Sequence, residues 1–212
     1  MISWPKGVRP TPAMLYGDEA MTGFEYAAAA AMVQFGLIRE GFLVAKAVHD
    51  RYDGRLRTNL TPGDTASWGY SGNPFGDDEC GKYYARAMSV WSLLLACQGF
   101  VYDGPAGVIG FHPVWKPEDH RSFFTGSEAW GVYTQKRGPK RLEASVGVRF
   151  GRLRVRELRL ETAEGHAPRK VVVRLGSKAI PATWKADGAR VTVTLAAEAI
   201  VGEGKALAVT LT

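Results

Sequence analysis

The spacing of apolar residues in this chain changes once, at Gly99-Phe100, and that change limits the folds open to it. Before it, apolar residues recur at three- and four-residue steps: Ile38, Phe42, Ala45 and Val48, then Tyr84, Met88, Trp91 and Leu95. That is the period of a helix with one buried face. After it they alternate, as in Val171, Val173 and Leu175 or Val191, Val193 and Leu195, which is the period of a half-buried strand. Helical pattern followed by strand pattern predicts an α+β chain, its helices packed on one another and its strands forming a small antiparallel domain.

Glycines divide the first part. Five consecutive alanines, Ala27 to Ala31, give residues 20–35 strong helix propensity, and Gly36 stops that helix. A second helix follows over residues 38–52 and ends at Gly54, so the pair reads as an antiparallel helical hairpin whose small face suits close packing. Residues 53–78 are rich in glycine and aromatics; Trp68, Tyr70 and Phe75 argue for an ordered, functional loop. A third helix is predicted over residues 79–98, with Asp77, Asp78 and Glu79 at its positive end and Gly99 after it. Strands are predicted at 145–160, 171–175, 179–184, 190–195 and 206–212.

Charge follows a similar division. Residues 1–135 hold 11 Lys/Arg against 14 Asp/Glu, a net of −3, and residues 136–212 hold 16 against 7, a net of +9. We therefore expect a domain boundary near 135/136. Arg152, Arg154 and Arg156 occupy alternate positions, the pattern of a solvated strand face. They lack the interleaved aromatics that a nucleic-acid surface uses, so no nucleic acid is expected as a partner.

Several classes are excluded. The longest apolar run, residues 27–33, is far shorter than a membrane-spanning helix, and the start has no charged head followed by an apolar stretch. Two cysteines, Cys80 and Cys97, cannot make a disulfide framework; they suit a reducing compartment, so a cytoplasmic location is expected. His49, His112, His120 and His166 show no metal-ligand spacing, and no cofactor is expected.

Chemistry concentrates in two segments. In residues 73–88, Glu79 and Arg86 stand two helical turns apart on one face, with Asp77 close by. Carboxylates beside an arginine can fix sugar hydroxyls, with Trp68 as an apolar platform; the same spacing also describes an acidic helix cap with a surface pair. In residues 102–135, turn residues mix with Trp115, Phe123, Phe124 and Trp130, and Asp103, Glu118 and Glu128 are further carboxylates. His112 and His120 have no nucleophile setting that would support a triad.

Five motifs occur in order: Met21-Thr22-Gly23-Phe24-Glu25-Tyr26; Arg51-Tyr52-Asp53-Gly54; Glu79-Cys80-Gly81 with Tyr84-Ala85-Arg86-Ala87-Met88; Tyr102-Asp103-Gly104-Pro105; and Glu128-Ala129-Trp130-Gly131. Together they resemble the C-terminal part of the catalytic region of glycoside hydrolase family 116, the β-glucosidases and non-lysosomal glucosylceramidases, over roughly residues 18–160. The resemblance implies the last helical hairpins of an (α/α)6 toroid over residues 1–135, followed by the basic β domain. It also implies that the nucleophile and acid/base of the retaining mechanism lie outside this chain. Substrate-binding groups would then be Asp77, Glu79 and Arg86, with Trp68 beside them. Relatives read Asn-Glu-x-Glu-Cys where this sequence has Gly76-Asp77-Asp78-Glu79-Cys80. The expected partners are a carbohydrate substrate and either the missing catalytic portion or a second copy, because toroid helices without neighbours would leave apolar faces open. The competing expectation is a non-catalytic carbohydrate-binding or structural module.

Overall fold

A computed structural model describes residues 21–52 and 85–212, with the side chains of residues 85 and 86 left out. The chain divides into two compact units, Met1–Ala96 and Cys97–Thr212. The boundary expected at 135/136 falls inside a strand, Ala129–Gly138.

In the first unit, α1 (Thr22–Gln34) and α2 (Ile38–Asp50) form the expected hairpin. Gly36, at φ +82°, closes α1: its own N–H reaches Val33 O at 3.0 Å, and that of Leu37 reaches Met32 O at 2.9 Å. That pair of bonds satisfies two carbonyls the helix end would otherwise leave open, and an L side chain at Gly36 would be strained. The small face of α1 does pack closely. Ala29, Ala30 and Val33 are buried, and a Cβ at Gly41 of α2 would meet Ala29 O at 2.6 Å. Residues of the first two motifs close the open end: Arg51 binds Glu25 through both its terminal nitrogens, and Thr22 Oγ1 lies 2.9 Å from Tyr52 Oη. That ion pair holds the Arg51 guanidinium above its usual pKa. A 3-10 turn, Ala85–Val90, leads into α3 (Trp91–Gln98).

The second unit is built of strands, and here the expected fold class is corrected. The chain is not the end of a helical toroid carrying a small β domain. Ten strands dominate the described residues, with three short α-helices. The strands are β1 (Phe100–Asp103), β2 (Val108–Phe111), β3 (Asp119–Thr125), β4 (Ala129–Gly138), β5 (Arg141–Glu161), β6 (Val171–Leu175), β7 (Lys178–Ile180), β8 (Ala182–Asp187), β9 (Arg190–Gly202) and β10 (Ala206–Leu211). The expectation failed because the family resemblance extends the toroid over residues 1–135, although the strand period already begins at Phe100. Residues 100–138 hold β1 to β4, short strands whose alternation is broken by Gly and Pro turns.

β5 organises the unit. Its first half pairs with β4 and β10, extending through β6 to β7 on one side and β3 on the other. Its second half pairs with β9 and, in parallel, with β2, extending to β8 and β1. The two sheets face each other across one core, in which Phe111 of β2 stacks on Tyr133 of β4 at 3.8 Å between ring centroids. Along β5 the buried residues are Leu142, Ala144, Val146 and Val148, then Leu153 and Val155, then Leu158 and Leu160. The inward parity changes twice. Each change coincides with a register shift: one where Arg149 has no partner on β4, one where Arg156 has none on β9. A bulge inserts one residue and so turns the strand over. Gly151, at φ +77°, follows the first bulge, and a Cβ there would sit 2.0 Å from Glu128 O.

Gly188 also has positive φ but faces open space. Gly151→Ala should therefore cost the left-handed strain of about 1–2 kcal/mol plus a steric term of about 1–3 kcal/mol, whereas Gly188→Ala should cost the strain alone. Equilibrium urea unfolding of both variants checks this; equal losses would contradict the role given to the Gly151 turn.

Candidate functional site

Of the residues expected to bind substrate, Trp68, Asp77 and Glu79 lie outside the described residues. Arg86 sits in the 3-10 turn, its side chain likewise outside them. The structure neither gathers these four nor separates them. Two other motifs do meet. The Tyr102–Pro105 turn and the Ser127–Trp130 segment come together over the bend of β5.

That junction is built as follows. Asp103 Oδ1 accepts the Ala106 N–H at 3.0 Å and so caps the β1–β2 turn rather than facing a ligand. Tyr102 reaches across it: its oxygen accepts the Ser127 N–H at 3.3 Å and lies 3.1 Å from Ser127 Oγ. The Arg152 N–H bonds Glu128 O at 3.1 Å, and the side chains of the same two residues approach to 3.6 Å. Arg154 donates to Pro105 O at 3.2 Å and pairs with Glu198 at 3.7 Å. The notch enclosed by these residues has a volume of about 250 Å³. Beside it, Trp130 and Phe150, paired across β4 and β5, lie nearly parallel at 6.4 Å and are 49% and 60% exposed. Glu128 lies in the β3–β4 turn and Trp130 at the start of β4 just after it.

The chemistry available is that of holding rather than breaking. A carboxylate, two guanidiniums, a phenol and a serine hydroxyl can grip several hydroxyl groups, and an exposed aromatic pair can support an apolar ring face. Glu128 is exposed and ion-paired. A general acid of a glycosidase needs a carboxyl kept protonated by burial, which Glu128 lacks. Glu118 is also exposed.

Sequence reasoning missed a buried polar line in the core. His120 Nδ1 lies 2.8 Å from Trp115 O, its Nε2 3.0 Å from Ser122 Oγ, and Ser122 Oγ 3.0 Å from Gln98 Oε1. Burial holds His120 below its ordinary pKa. The neutral ring donates from Nδ1 to the carbonyl, so Nε2 accepts and Ser122 must donate to it. The Gln98 amide, whose oxygen and nitrogen ends are alike in shape, is then turned so that its nitrogen donates to Ser122. The alternative, with Ser122 donating to Gln98, needs a buried imidazolium without a counter-ion. A serine beside a histidine resembles a nucleophile and its base. Here the second ring nitrogen meets a backbone carbonyl, and His120 is only 4% exposed, so the pair is structural. Nearby, Tyr133 donates to Gln135 Oε1 at 2.6 Å, and Gln135 Nε2 donates to Pro117 O at 2.7 Å. Burial pushes the Tyr133 phenol far above its usual range. The available signal was His120, Ser122 and Phe124 at alternate positions, an inward set with two polar members.

His112 is lowered too, by burial first and then by Arg190 and Arg159 acting against Glu161. Both rings take up protons less readily folded than unfolded. Their contribution is therefore complete above the unfolded value of about 6.5 and is lost as pH falls from there through the folded values. Urea midpoints should fall between pH 7.5 and pH 5.5, and His120→Gln should flatten part of that slope. An unchanged slope in the variant would contradict a neutral buried His120.

Among the described residues no helix is long and apolar enough to cross a membrane, and no group of three His, Cys, Asp or Glu could hold a metal. Cys97 is buried, and burial raises its thiol pKa.

No family model matches the chain, and no curated protein matches it. Among solved structures it is similar to an α-L-rhamnosidase from Dictyoglumus thermophilum, at 10% identity and a TM-score of 0.35. The match covers 80% of this chain and 17% of that one. A likeness of that degree carries no functional argument, and the resemblance to family 116 rests on the motifs alone.

Proposed function

We propose that this chain is a non-catalytic part of a carbohydrate-active protein and that it binds neutral, hydroxyl-rich sugar at the notch between the Tyr102–Pro105 turn and Glu128. One observation supports this above the others. Two motifs separated in sequence supply Tyr102 and Glu128 to one concavity, with Ser127 just before the second, beside the exposed Trp130–Phe150 pair. The ordered motifs support a finer reading: the sugar is β-linked, the catalytic carboxylates are supplied from outside this chain, and Asp77, Glu79, Arg86 and Trp68 add contacts of their own.

Calorimetric titration with glucose and short β-glucans tests the reading. Removing a hydrogen bond to a charged group costs about 1.5–3 kcal/mol, so Glu128→Ala should weaken binding roughly 10- to 100-fold, and Trp130→Ala should weaken it as well. Binding lost only on Arg86→Ala would move the site to the first unit. Absence of binding at millimolar sugar would sink the proposal. Turnover of an aryl β-glucoside by the purified chain would overturn its non-catalytic character and direct attention to Glu128, Asp103 and Glu118.

A partner-binding role has support of its own. The predicted apolar stripe of the third helix faces solvent, with Met88 63% and Leu95 47% exposed, and Phe35, Leu37 and Leu43 of the hairpin are exposed as well. Sedimentation at tens of micromolar should show self-association that Leu43→Glu and Met88→Glu weaken. A concentration-independent monomer would remove this support.

A further inference from the structure

We propose that the outer face of the β3–β4–β5–β10 sheet is a second glycan site, one that binds the carboxylate or sulfate groups of an acidic sugar chain. The inference deepens the carbohydrate reading above and rests on it for the class of ligand.

The observation is a set of uncompensated cations around one concavity. Arg121, Arg149 and Lys205 line a pocket of about 240 Å³ that no carboxylate lines. Elsewhere in this unit Arg137, Arg141, Arg152, Arg154 and Arg159 each have a carboxylate at 2.6 to 3.7 Å, while Arg156, Arg169, Arg174 and Arg190 have none among the described residues, so what sets the three apart is that they share one concavity. Arg121, Arg149 and Lys205 have no such partner among the described residues. Like charges left together on a folded surface repel, and an oxyanion placed between them relieves that repulsion. Arginine presents paired N–H groups that match the two oxygens of a carboxylate or sulfate.

The backbone explains why the three converge. The bulge in β5 frees Arg149 from its pairing and leaves it on the outer face. The Val148 N–H, one residue earlier, bonds Lys205 O at 2.9 Å, which draws the β9–β10 turn to the same place. Arg121 enters from β3 through the row Arg121, Thr134, Ser145 and Ala208.

The floor is low. Ser145, Gly147 and Ala206 occupy outward positions of two neighbouring strands, where a solvated sheet usually carries longer or branched side chains such as the adjoining Val132 and Thr134. A neighbouring pocket of about 540 Å³ shares Arg121, Thr134 and Ser145, so the two form one trough across the sheet. It runs on towards Lys136 and also passes Asp119 and Glu143, so its cationic end is the Arg149 end. Hydroxyls on the floor and cations on the rim fit an acidic polysaccharide better than a nucleic acid. No Phe, Tyr or Trp lines either pocket, and the one aromatic ring bordering the larger, His120, is buried and so does not offer a face to a base.

The experiment is a binding titration of the full chain with four probes: an oligogalacturonate, a sulfated heparin-derived oligosaccharide, a neutral β-glucan oligosaccharide and a single-stranded DNA. At least one acidic glycan should bind, more weakly as salt rises, and the carboxylate and sulfate arms show which group is taken. The triple variant Arg121→Ala, Arg149→Ala, Lys205→Ala should weaken that binding at least tenfold. The charge-matched variant Arg156→Ala, Lys185→Ala, Arg190→Ala, whose residues line neither pocket of the trough and lie on the other sheet, should not. If the triple variant fails to fold by circular dichroism, the single turn variant Lys205→Glu carries the test with the same expected direction. Failure of both acidic glycans to bind at millimolar concentration overturns the proposal, as does equal weakening by the control variant or DNA binding as tight as glycan binding. The neutral probe reads the Glu128 notch separately. Its loss with retained acidic binding would end the earlier reading and leave this one standing.

Discussion

Everything in the β unit depends on one strand serving two sheets. β5 runs for 21 residues, hydrogen-bonds with one set of neighbours over its first half and another over its second, and presents apolar residues to the same core throughout. A straight strand cannot do this, because a strand that keeps its parity while changing sheets would turn its apolar side outward. The bulge at Arg149 turns the strand over where it changes sheets, and the bulge at Arg156, within its pairing to β9, turns it over again where β2 joins. Gly151 makes the first of these reversals possible by adopting a backbone conformation that leaves room for Glu128 O.

The candidate sites follow from the same bend. Past the bulge, β5 carries Arg152 to Glu128 and Arg154 to the Pro105 carbonyl, which makes the notch. At the bulge, Phe150 is directed outward against Trp130, which makes the platform, and Arg149 is released to the outer face, which completes the cationic pocket. Rigidity comes from beneath. Phe111, Phe124 and Tyr133 pack as a ring cluster worth about 0.5–1.5 kcal/mol per pair beyond their buried area. The Tyr133–Gln135–Pro117 bonds then tie the loop before β3 to that cluster without leaving a buried polar atom of theirs unpaired. Ligand groups mounted on such a frame lose little freedom when they bind.

Local structure was legible in the sequence wherever one period ran unbroken. Ala27 to Ala31 and Gly36 marked α1 and its end, and the alternation of Val171 to Leu175 marked β6 to the residue. The arginines at 152, 154 and 156 were correctly placed on a solvated face. The fold class was not legible, because residues 100–125 break into four- to seven-residue strands and their aromatics looked like site residues. Phe124 and Tyr133 are core, whereas Trp130, one position out of phase, is surface. A period of two gives the side but not which side is the inside, and the bulges in β5 reverse even that. The convergence of Tyr102, Ser127 and Glu128 depends on strand pairing between segments 25 residues apart in sequence, which no local pattern encodes.

The account places sugar recognition on a rigid strand junction and leaves bond breaking to groups outside this chain. Amide and indole NMR spectra of the isotopically labelled protein, recorded with and without a β-glucan oligosaccharide, test that placement most directly. The account predicts saturable shifts centred on the Ser127 and Glu128 amides and the Trp130 indole N–H, with the buried Val146 and Leu158 amides unmoved. Shifts that avoid the notch, or a spectrum unchanged at millimolar sugar, would contradict it.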